Sequence, residues 1–133
     1  MYQIWYIVCM PLNSNVKILI VSFYRSPAGN EPVREWLKLR TSEEKKIIGE
    51  DIKTVEYTWS VGYPQVVKLD KDIWELRINL PKGICRIFFT IWNNYMVLLH
   101  SIIKKTKKTP QQDLDIAKKR RNQVLSGGIL NEK

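Results

Sequence analysis

The chain holds a single histidine, His100, and two cysteines, Cys9 and Cys85. No Cys or His pair stands at metal-ligand spacing. A structural zinc site or a histidine-dependent triad is therefore hard to build, and no metal or other cofactor is expected. Two cysteines are too few for a disulfide framework, which fits a reducing, cytoplasmic setting. Glycine-rich phosphate loops, internal repeats and low-complexity tracts are absent. Residues 2–10 are apolar but far too short to span a bilayer. They have no basic residue before them and no small-residue cleavage site after them, so they make a poor secretory signal. Residues 11–15 read as a linker. The first fifteen residues are expected to be an extension appended to one domain over 16–125, with 126–133 as a tail.

Positive charge is plentiful and unevenly placed. The 133 residues carry a net +9, with 44% hydrophobic and 26% charged side chains, a balance that suits one globular domain with a real core. Between positions 104 and 121, eight Lys/Arg face only Asp113 and Asp115. The block Lys104-Lys105-Thr106-Lys107-Lys108 runs directly out of an apolar strand and into a helix start. Charge gathered at such a junction points to a phosphate-bearing partner. The plainer alternative is a solvated, solubilising run.

The hydrophobic pattern separates the elements. Residues 16–24 are rich in β-branched side chains and predict a strand. Asn30 is placed to cap a helix with Pro32 in its first turn and Val33, Trp36 and Leu37 on one face. Thr41 and Glu44 form a capping box for a second helix. Its buried stripe is Ile48, Ile52, Val55 and Trp59, and Gly62 and Pro64 end it. The period then becomes two, over 66–69, 73–80, 84–92 and 95–103. Thr109, Pro110 and Gln112 signal a last helix, with Leu114, Ala117 and Val124 inward and Gly127-Gly128 at its end. The expected class is α+β: an N-terminal strand, a helical hairpin, an antiparallel sheet of four to five strands and a basic C-terminal helix.

Pairing across the hairpin tips assigns faces. With Lys82-Gly83 as the loop, Pro81 pairs with Ile84. Leu76, Ile78 and Leu80 then share an apolar face with Cys85, Ile87 and Phe89. Arg77 and Arg86 fall on the opposite, open face; a buried, paired arginine is the structural alternative. With Asn93-Asn94 as the next loop, Ser101 lies beside Arg86 and His100 points to the core side. There a lone histidine is more often packed and hydrogen-bonded than catalytic.

The element order, together with Trp74-Glu75-Leu76-Arg77-Ile78, Gly83-Ile84-Cys85-Arg86-Ile87-Phe88-Phe89, Val97-Leu98-Leu99-His100 and the lysine block ending in Thr109-Pro110, resembles the RelE/ParE toxin superfamily, in particular its HigB-like, phage-derived branch. The resemblance covers residues 16–125. It departs at Cys85, where an aromatic commonly precedes the arginine. It implies a RelE-like fold and the toxin of a type II toxin–antitoxin pair. Such a toxin cleaves mRNA on the ribosome as an endoribonuclease without a metal. Its cognate partner is a HigA-like helix-turn-helix antitoxin, and no membrane is involved.

On that reading the reaction uses the RNA 2′-hydroxyl as nucleophile on the adjacent phosphate. It needs a proton acceptor, stabilisation of the phosphorane and help for the leaving oxygen. Arg77 and Arg86 suit phosphate. Lys105, Lys108 and His100 are the candidates for proton transfer, since crowding by like charge favours the neutral amine that a base requires. Lys68, Lys104, Lys107, Lys118, Lys119, Arg120 and Arg121 are the candidates for holding RNA and ribosome. Two rival classes remain: a ParE-like gyrase poison, and a non-catalytic nucleic-acid-binding module or inactive toxin.

Overall fold

The computed structural model describes residues 16–59 and 63–127; the N-terminal extension, Gly62, Gly128 and most of the tail lie outside the described residues. The order is β1 (Ile20–Phe23), α1 (Pro32–Lys38), α2 (Ser42–Thr58), β2 (Val66–Asp70), β3 (Ile73–Leu80), β4 (Gly83–Trp92), β5 (Tyr95–Lys104) and α3 (Gln111–Leu125). The class is mixed α+β with a RelE-like arrangement. Among the described residues no helix is long and apolar enough to cross a membrane.

The five strands lie in the order β1-β5-β4-β3-β2. All neighbours are antiparallel except β1, which joins the edge beside β5 in parallel. The sheet is therefore mixed rather than antiparallel throughout. A parallel partner needs a crossover rather than a tight turn, and no local sequence signal announces it. Glu56 of α2 fastens this edge: its carboxylate accepts from the Val21 amide at 2.8 Å, and its backbone carbonyl accepts from Ile18 and Leu19.

Each face of the sheet is covered. The helical hairpin packs Val33, Ile48, Ile52 and Val55 onto Leu76, Ile78, Cys85, Ile87, Phe89 and Leu98. Helix α3 packs Ala117 and Val124 onto Tyr24, Ile73, Phe88, Val97 and Leu99 on the other side. The Thr41–Glu44 capping box is present at the start of α2. Two other predicted caps are not. Glu31, not Asn30, occupies the cap position of α1, and Pro110 that of α3, neither with a side-chain hydrogen bond. Thr109 spends its hydroxyl elsewhere.

The first hairpin keeps the expected faces but slides by two residues. Leu80 pairs with Gly83, so the loop is Pro81-Lys82 and Arg77 stands directly opposite Arg86. An even slip preserves every side chain's face. Gly83 is required at this corner: a Cβ there would lie 3.1 Å from the Ile103 side chain and 3.3 Å from the Lys104 carbonyl. In the second hairpin Trp92 pairs with Tyr95 as expected, but the register shifts between Phe88 and Phe89. Phe89 pairs with Leu98 and Phe88 with His100, which leaves Leu99 as the extra residue. This bulge turns His100 to the α3 side of the sheet and brings Ile102, not Ser101, opposite Arg86.

Phe89 is the keystone of the hairpin-side core, fully buried with ring centroids 5.7 Å from Trp59 and 6.0 Å from Trp74. Phe89→Ala is expected to lower the unfolding free energy by about 3–5 kcal/mol, read from urea midpoints at unchanged slope.

Candidate functional site

The lysine block begins at the last residue of β5 and continues as a connector to α3. Left alone, four cations within five residues would repel one another and leave the sheet. Two buried side chains hold them. Glu75 on β3 and Arg86 on β4 are both fully buried, with Nη1 to Oε2 at 3.7 Å. The Arg86 guanidinium donates to the Thr106 carbonyl and, at 3.4 Å, to that of Lys107. Glu75 accepts from the Thr109 hydroxyl at 2.9 Å and from Arg77 Nε at 2.6 Å. The expected open position of Arg86 is thus corrected. It does share a face with Arg77, but the connector lies over it, and the buried paired arginine is what the chain builds. Its Nε has no hydrogen-bond partner.

Arg77 differs. Its side chain is 36% exposed. Only Nε is engaged, so both terminal nitrogens are left without a partner among the described residues. Lys104, Lys105, Lys107 and Lys108 are all exposed on the connector beside it. This rim of five cations over a neutralised floor is the candidate site.

His100 is fixed. Nε2 donates to Asp113 Oδ1 at 2.8 Å, and Nδ1 sits 3.5 Å from Arg120 Nη1. The ring stacks on Phe88 at 5.7 Å. Burial lowers its pKa below 6.5; the Asp113 hydrogen bond opposes that shift and Arg120 adds to it. Arg120 itself donates to the Leu99 carbonyl at 2.8 Å and lies over the Tyr24 ring. Lys118 and Arg121 turn to Asp70, at 3.9 and 3.0 Å, and Arg121 also donates to the Lys71 carbonyl. The hydrogen bond that Arg121 donates to the Asp70 carboxylate holds Asp70 below the usual carboxylate range. Of the basic residues on α3, Lys119 is the exposed one. Lys68 is on the wrong side for this site: it pairs with Trp74 and lies 5.6 Å over that ring, on the helical-hairpin face.

Cys85 is buried beneath the hairpin helices, and burial pushes its thiol up to about 12, so it is inert packing rather than a nucleophile. Glu75 and Thr109 are the positions beneath this candidate site that pattern reading missed. An acidic residue inside an apolar strand, one step before Leu76 and on the face of Arg77 by alternation, was the available signal. Among the described residues no cluster of three or more His, Cys, Asp or Glu is arranged to hold a metal ion.

Two outcomes follow from this geometry. Arg86→Met leaves Glu75 buried with fewer partners and is expected to cost about 3–5 kcal/mol, whereas Glu75→Met/Arg86→Met together cost less than the sum of the singles, because the pair is removed whole. Calorimetry of the two singles and the double checks this. A depressed histidine pKa means the unfolded chain takes up the proton first. The His100 contribution is therefore complete above about pH 6.5 and is lost as pH falls through the folded pKa. By NMR, the imidazole midpoint should lie below 6.5, fall further in Asp113→Asn and rise in Arg120→Met.

The family model of the phage-derived protein Gp49-like (DUF891) matches residues 34–122. No curated protein matches the chain. The matched span runs from α1 into α3, well over half of the chain and all of the cation-bearing face, so the chain belongs to the Gp49-like family of phage-derived proteins, a family of the RelE/ParE toxin type.

Proposed function

We propose that the chain is the toxin of a type II toxin–antitoxin pair and acts as a ribosome-dependent mRNA endoribonuclease of the HigB-like kind. The observation that carries this reading is the connector: buried Glu75 and Arg86 hold four exposed lysines beside a guanidinium whose terminal nitrogens have no partner among the described residues. The fork of Arg77 suits the two non-bridging oxygens of a scissile phosphate and the extra charge of the phosphorane. Lys105 and Lys108 are the residues within the connector assigned to proton transfer. Lys104, Lys107 and Lys119 grip the RNA and ribosomal backbone. Arg86 and His100 act as positioning residues, since both are held inside by protein partners.

The site lacks a strong acid–base pair, so the scheme depends on alignment. In-line attack by the 2′-hydroxyl needs the sugar and phosphate held in one geometry, which a ribosome-bound mRNA supplies better than a flexible strand. Binding through the lysine rim weakens with salt as counterions are retained. The cognate partner in this reading is a helix-turn-helix antitoxin of the HigA kind.

Induction of the wild-type chain is expected to stop translation before any DNA damage and to leave mRNA cut on ribosomes. Arg77→Ala should lose about 10²–10³-fold of the cleavage rate; it also removes a hydrogen bond to buried Glu75, so the thermal midpoint falls while the chain stays folded at the assay temperature. Primer extension on ribosome-bound transcripts reads the first. DNA damage preceding translational arrest, or cleavage untouched by Arg77→Ala, overturns the reading.

A further inference from the structure

The sheet face opposite the lysine connector carries a second surface that nuclease chemistry does not use. Between α1 and α2, at the β1 edge, runs a groove of about 290 Å³ with Phe23, Leu37, Ile48 and Ile52 among its lining. Arg34 and Lys38, one helical turn apart on α1, and Lys45 on α2 stand at its rim. Arg34 is tied to Glu31 at 3.2 Å and lies over Phe23, while Lys38 and Lys45 have no ion-pair partner among the described residues. Leu39, directly after Lys38, is 77% exposed, the greatest exposure of any large apolar side chain among the described residues. Gly49 lies along the groove, and a Cβ added there would meet nothing within 4 Å.

We infer that this groove docks an acidic amphipathic helix of a partner protein, and, resting on the reading above, that this partner is the antitoxin. An apolar channel flanked by cations fits a helix with aliphatic residues at i, i+3, i+4 and i+7 and carboxylates along its borders. A second copy of the chain fits poorly, because a net +9 meets itself. The N-terminal extension fits poorly too, since residues 2–10 contain no acidic side chain. RNA is disfavoured by a lining that offers one aromatic, already covered by Arg34. Because the groove and the connector lie on opposite faces of one sheet, a helix seated here leaves Arg77 and the lysines uncovered. The complex retains its grip on polyanions.

Binding of a labelled peptide of about 18 residues, with leucines at those positions and glutamates on both flanks, tests this by fluorescence anisotropy. The full chain should bind it about tenfold more tightly than a composition-matched scramble. Gly49→Trp, which fills the groove from an exposed helix position, and Lys38→Glu/Lys45→Glu should each erase that preference with unchanged circular dichroism. Lys104→Glu/Lys105→Glu on the other face should leave it intact. Equal affinity for peptide and scramble, a greater loss from the connector variant than from the groove variants, or concentration-dependent dimerisation abolished by Gly49→Trp overturns the inference. The readout does not involve toxicity. A toxic chain that ignores the peptide sinks the groove alone, and a harmless chain that binds it sinks the toxin reading alone.

Discussion

One buried ion pair organises the cation-bearing face. Glu75 and Arg86 are both withdrawn from water, a placement that costs several kcal/mol per charge before any return. Their mutual attraction does not recover that cost at 3.7 Å. The remaining hydrogen bonds, from Arg77 and Thr109 to the carboxylate and from the guanidinium to two connector carbonyls, complete the balance. An apolar pair would stabilise the sheet as well or better. It would not tie down a segment with four like charges in five positions. The ion pair is thus best understood as what lets a repulsive segment hold one conformation.

Around this pair the sheet separates two jobs. On the α3 side, charge is arranged in layers: buried Glu75 and Arg86, then half-exposed Arg77, then the lysines in water. The locks on α3 itself, His100 with Asp113 and Arg121 with Asp70, keep the far end of the connector in place. On the hairpin side the core is apolar, with Trp74 and Phe89 stacked on each other and Trp59 set edge-on to both. The surface left over between α1 and α2 is a groove of opposite character to the connector. Its apolar lining favours side chains, whereas the connector favours phosphate.

Most of the elements were legible from periodicity, because alternation in β3, β4 and β5 and the i, i+4, i+7 stripe of α2 follow directly from burial of one face. The face assignment of Arg77 and Arg86 survived a two-residue slip of the hairpin because the pleat repeats every two residues. What alternation could not show was non-local. The bulge at Leu99, which reverses His100, breaks the period without any Gly or Pro to mark it. The parallel seat of β1 depends on contacts with α2, above all Glu56. Arg86 was assigned to an open face because a strand pattern carries no record of the connector that folds back over it. Lys68 was grouped with the site as a cation of the short strand, although pairing with Trp74 sends it to the other side. Thr109 reads as a helix cap, yet a buried carboxylate competes for its hydroxyl and wins.

The central claim is that Glu75 and Arg86 fix the lysine connector, and backbone NMR order parameters over residues 104–109 test it most directly. In Arg86→Met, the order parameters of the connector should fall from those of rigid backbone toward those of a flexible loop while the β3–β4 ladder keeps its values. A connector as rigid in the variant as in the wild type would contradict the account.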